Sequence, residues 1–220
     1  MDVSRHLNGD IRTIFKQEYL SPRPQTCSVR LGSNGYSSWP FYFWGVKLPE
    51  IDLSNASKMV DAEGRLVTRQ GVPFTWNGEE RNIAFTSQWE NWPRQVTVPV
   101  RRKGKAVWLL LCGSTNQMQG KIANAELRLT YADGHTDKLE IVPPVNFWSL
   151  CAIPDGKDYD YKRDAFALPS KPPTTVQLGA NCRAIVLNRR LRKDVELGSV
   201  TLETLSQEVV IGLMGVTVME

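Results

Sequence analysis

The chain has 220 residues, 41% hydrophobic and 23% charged, a balance that suits one large β domain, or one domain with an irregular extension, rather than two full domains. A formal net charge of +4 is too small to argue for a nucleic-acid partner unless it is concentrated on one face. No apolar stretch approaches the roughly 20 residues needed to cross a bilayer, and the first residues carry no signal-peptide-like apolar run.

Leu7, Ile11, Ile14 and Phe15 fall on one face at helical spacing, which predicts a short N-terminal helical arm. Asp10, after Gly9, is placed to cap its second part. Ser21, Pro22, Arg23 and Pro24 end it, because proline lacks an amide donor and restricts the residue before it. The stretch to about Pro49 is rich in Gly, Ser and aromatic residues and reads as extended structure and loops. Residues 1–49 are therefore expected to form an arm and an aromatic-rich extension packed on the core, and residues 50–220 the main β-sandwich.

From Ile83 onward the signals are nearly all β. Val96–Val100 alternates, and Pro99 favours an edge strand. Ala106–Cys112 is continuously apolar, as a strand buried on both faces is. Ala125–Tyr131 alternates, Asp133 and Gly134 supply a hairpin turn, and Thr136–Val142 returns as the partner. A long proline-rich loop runs from Pro143 to Pro173. Strands follow at Cys182–Leu187, Leu197–Leu205 and Val209–Val218, the last carrying two glycines. Strands at this spacing, with irregular connections, predict an all-β sandwich or jelly roll.

Cys27, Cys112, Cys151 and Cys182 make no metal-ligand spacing. Basic residues cluster at Arg101, Arg102, Lys103 and Lys105, and again at Arg189, Arg190, Arg192 and Lys193. At two separate turns they are read as charged strand ends, and their separation argues against one continuous groove.

Serine nucleophile elbows, phosphate-cradling glycine loops and zinc helices are absent from the sequence. Sugar binding has better raw material, because flat rings cover the apolar faces of a sugar while amides, carboxylates and guanidinium groups bond its hydroxyls. Trp89, Glu90, Asn91, Trp92, Pro93 and Arg94 pack all of these into six residues. Asn116 and, in the long loop, Trp148, Tyr161 and Arg163 are further carbohydrate-binding candidates. Trp89 and Trp92 are better suited to plugging one end of the sandwich, where indole packing and one N–H bond fix the loop.

Two alternatives stay open. Asp155, Asp158 and Asp160 form an oxygen-rich loop that suits calcium, although it lacks the ligand pattern of an EF-hand. Glu90, Asp155, Asp158, Asp160 and Asp164 are the carboxylates from which a glycosidase pair would be drawn. Otherwise no cofactor is expected.

The segment from Gly71 to Phe74, then Asn82 to Pro93, resembles the opening of a galactose-binding-like module. Gly113 to Gln119, Tyr131 to Gly134, and Val209 to Thr217 resemble its later parts, and Ile14–Tyr19 and Ser21–Arg23 resemble what precedes it. Such modules form the C-terminal part of uncharacterised proteins associated with bacterial polysaccharide degradation. The resemblance implies a sandwich that binds glycan, or positions a neighbouring catalytic domain, in a periplasmic or extracellular protein. A structural interdomain module with no ligand of its own is the alternative.

Overall fold

The computed structural model describes residues 1–19, 50–78, 80–115, 119–151, 171–207 and 209–220. The predicted alternation becomes strands. The segment Ala125–Tyr131 (β6) buries every second side chain, and Thr136–Ile141 (β7) pairs with it antiparallel through a turn in which Gly134 takes φ +85°. Glycine meets no Cβ clash there.

Two antiparallel sheets carry the fold. Gln95–Arg102 (β4) and Leu197–Thr204 (β10) join β6 and β7 in a four-stranded sheet of order β4-β10-β6-β7. Ala84–Ser87 (β3), Ala106–Thr115 (β5), Thr175–Gly179 (β8), Cys182–Arg190 (β9) and Val209–Met219 (β11) make a five-stranded sheet of order β3-β11-β5-β9-β8. Partners nest from the ends inward: β3 with β11, β4 with β10, β5 with β9, and β6 with β7. Pro99 lies on the edge strand β4, where its missing amide costs no ladder bond between two neighbours.

The continuous apolar run of β5 has a direct cause. Val107, Leu109 and Leu111 face the four-stranded sheet, packing with Leu127, Leu129, Val200 and Leu202. Leu110 and Cys112 face the other way, into a second core with Ile11, Ile14, Leu66, Phe74 and Phe85. Both faces are thus covered, and each fully buried leucine contributes roughly 1.5–3 kcal/mol through apolar burial.

The second core is roofed by short pieces: helix α1 (Ser54–Lys58) and the small hairpin Arg65–Val67 (β1) with Pro73–Thr75 (β2). The N-terminus forms two separate 3-10 turns, Ser4–His6 and Ile11–Thr13, in place of one helical arm. Pairing explains the break. The backbone of Gly9 bridges to Ile83, and the side chain of Asn8 bonds both the amide and the carbonyl of Phe85. Asp10 does cap the second turn, accepting from the amide of Arg12 at 2.9 Å.

Candidate functional site

Strand register gathers the sequence candidates that fall among the described residues at one end of the sandwich. Gln95, Glu203, Glu126 and Glu140 form one row across the four-stranded sheet, and the connections 88–94, 119–124, 142–151 and 205–207 emerge at that end. Backbone bonds tie them together, from Leu205 to Asn124 at 2.9 Å and from Lys121 to Pro143 at 2.6 Å.

The aromatic candidates there serve as anchors. Trp89 is 3% exposed, and its indole N–H donates to the carbonyl of Gln207 at 2.7 Å. Trp148 is also 3% exposed and donates to the carbonyl of Pro144 at 2.8 Å. Neither ring offers a face on which a sugar would stack. Trp92 is half-buried, its ring 4.8 Å from that of Phe85. Glu90 and Asn91 are exposed, and the Asn91 amide donates to the carbonyl of Glu18. The Arg94 guanidinium pairs with Glu203 at 2.9 Å, and Arg128 bonds the same carboxylate. Asn116, Asp155, Asp158, Asp160, Tyr161, Arg163 and Asp164 lie outside the described residues. Among the described residues no group of three or more His, Cys, Asp or Glu is placed to hold a metal.

A second constellation lies elsewhere, in a groove of about 1010 Å³ between the N-terminal turns, the start of α1 and the segment after β2. Trp76, Asn77, Glu80 and Arg81 line it from one strand end, facing Arg12 and Asp52. The backbone of Trp76 is fixed by its amide bond to the carbonyl of Gly64 at 3.1 Å, and its half-buried ring rests on the second core. Beside it, the side-chain nitrogen of Asn77 is buried and has no hydrogen-bond partner. A buried amide left unpaired costs about 1–3 kcal/mol, so a ligand that accepts from it recovers that penalty.

The opposite wall is held rigidly. The carboxylate of Asp52 accepts from the amides of Ala180 at 2.7 Å and Ser54 at 2.8 Å, and these bonds hold its pKa below the usual carboxylate value. Gly179 makes the approach possible, because a Cβ there would stand 1.9 Å from the carbonyl oxygen of Asp52. Arg12 reaches the carbonyl of Gly78 at 3.4 Å and pairs with Asp10 at 2.7 Å. Burial pushes the Asp10 carboxyl up, but bonds from Arg12 and Asn82 outweigh it and lower the pKa.

A glycosidase acid active near neutrality needs a carboxyl whose pKa is raised. Asp2, Asp10, Asp52, Asp61 and Asp137 are all moved downward. His135, in the β6–β7 turn, is exposed and meets Asp137 at 3.0 Å.

The groove was missed in the sequence, though its signal was there. Trp76, Asn77, Gly78, Glu79, Glu80 and Arg81 offer an aromatic ring, an amide, carboxylates and a guanidinium within six residues, as Trp89–Arg94 do. Comparisons with protein families, with curated proteins and with solved structures find no match to this chain.

Proposed function

We propose that this chain is a noncatalytic carbohydrate-binding module, with a jelly roll of the galactose-binding-like kind, that serves a glycan-degrading protein. Nested strand pairing between two sheets is the order in which a jelly roll wraps, and it supports the finer fold reading. The observation that carries the function is the half-buried indole of Trp76 beside the buried, unpartnered amide of Asn77 in the 1010 Å³ groove. Trp76 presents an apolar platform for the C–H face of a sugar. The Asn77 amide, with Arg12, Arg81, Asp52 and Glu80, supplies donors and acceptors for its hydroxyls.

Calorimetric titration with soluble oligosaccharides tests this reading. Saturable binding that Asn77→Ala weakens without lowering the melting temperature supports it. A folded chain that binds no oligosaccharide in a broad set of plant and host glycans overturns it.

A structural interdomain role is the second reading. It is favoured by Ile122, Val145 and Leu205, which are 52%, 55% and 38% exposed on loops that meet at one end of the sandwich. Exposed aliphatics grouped in this way suit a neighbouring domain of the same protein.

A further inference from the structure

The two basic segments, some 85 residues apart in sequence, meet at one end of the sandwich. The amide of Leu191 donates to the carbonyl of Lys105 at 2.8 Å, and Ala106 and Val107 of β5 pair with Arg190 and Arg189 of β9. Arg102 of β4 pairs with Leu197, at the far side of the turn that carries Arg192 and Lys193. The expectation that separate turns keep these charges apart is thus corrected, because β5–β9 pairing joins them.

Arg101, Arg102, Lys103, Lys105, Arg189, Arg190 and Lys193 are exposed, and none makes an ion pair with another described residue. Arg192 alone is engaged, 3.6 Å from Asp133 and over the ring of Tyr131. Asp2, Asp133, Asp194, Glu196 and Glu220 share this end of the sandwich, so cations are in excess there rather than alone.

Register adds a second feature. Directly paired residues share a face, so Trp108 stands with Asn188 and Thr217 in one row, and Ala106 with Arg190 and Met219 in the next. The half-buried Trp108 thus shares one face of the sheet with an exposed amide and an exposed guanidinium. A ring, an amide and a guanidinium match the parts of an acidic sugar: its C–H face, its hydroxyls and its carboxylate. No described helix or long ribbon projects here to enter a nucleic-acid groove. Met219 is the only large apolar side chain exposed on this surface among the described residues, which is little to insert into a membrane.

We infer that this end of the sandwich binds an acidic polysaccharide, its carboxylates paired with the joined Arg101–Lys105 and Arg189–Lys193 segments and a sugar unit set against Trp108 and Asn188. The surface is separate from the Trp76 groove and does not depend on it.

The test is biosensor binding of the full chain to polygalacturonate, with its methyl-esterified, neutral form as control. Duplex DNA and phosphatidylserine vesicles are run in parallel. Expected is saturable binding to the acid form alone, weakened about tenfold or more by K103Q/K105Q/R189Q/R190Q and by added salt, as counterion release requires. Asn188→Ala should weaken polygalacturonate binding and leave any DNA binding unchanged. R189Q/R190Q alone provides a milder variant should the fourfold change disturb folding. Equal binding of the esterified polymer, tighter binding of DNA or vesicles, or indifference to both charge variants would overturn the inference.

Discussion

The indole N–H of Trp89 donates to the carbonyl of Gln207 at 2.7 Å, joining the β3–β4 connection to the β10–β11 connection. The ring is edge-on to Tyr19 at 6.3 Å and lies in the second core, which makes it a structural pin. Trp89→Ala should cost about 3–5 kcal/mol, as truncating a buried aromatic does. Denaturant unfolding measures it. A melting temperature unchanged in this variant would show that the ring is not packed as described.

Asp10 holds the N-terminal segment through the amide of Arg12, the guanidinium of Arg12 and the side chain of Asn82. Its folded pKa lies below the ordinary value of 3.8. The carboxylate therefore contributes stability that is fully present above about pH 4 and is lost as pH falls through the folded pKa. Asp10→Ala should cost about 1–2 kcal/mol at neutral pH, the size of a lost cap with its bonds. The difference from the parent chain should shrink in acid, as pH falls below 3.8 and then through the lower folded pKa. Urea melts of both chains at the two pH values check the sign.

Much of the fold was legible in the sequence because it rests on local pattern. The alternation of Ala125–Tyr131, the turn at Gly134 and the unbroken run of β5 each announce their place in a sheet. Helix α1 and strands β1 and β2 were not, because elements of three to five residues are too short to show a period. The N-terminal arm read as helix because Leu7, Ile11 and Ile14 are all buried. Only the distant bridge from Gly9 to Ile83 breaks it into two turns. The groove is assembled from residues as far apart as Arg12, Asp52 and Trp76, and the basic surface from strands paired across 85 residues. Contacts of that kind leave no mark on spacing.

Gly179 tests the rigidity of the groove wall. A methyl group there would overlap the carbonyl oxygen of Asp52, which is backbone and cannot swing aside. Gly179→Ala should cost about 1–3 kcal/mol through forced backbone shifts. It should also weaken any groove ligand while the Trp89 anchor stays intact. Thermal melts and titration of the same variant separate the two effects.

Cys112 and Cys182 are both buried, and the thiol of Cys112 lies 3.3 Å from the carbonyl of Arg183. The contact with Cys112, and then burial, push the Cys182 thiol up. Burial shields both thiols, and the raised pKa of Cys182 further withholds its nucleophilic thiolate, so neither residue should react with an aromatic disulfide reagent in the native chain near pH 8. Both should react once the chain is unfolded, and mass spectrometry of digests reads each site. Rapid native labelling of Cys182 would contradict its placement.

The most direct test is affinity electrophoresis of three chains through gels containing a neutral glycan that retains the parent: the parent itself, Trp76→Ala and Trp92→Ala. Retention should be lost with Trp76→Ala and kept with Trp92→Ala, both variants remaining folded by circular dichroism. Retention kept with Trp76→Ala, or lost only with Trp92→Ala, would contradict a glycan site in the groove and return it to the loops at the sandwich end.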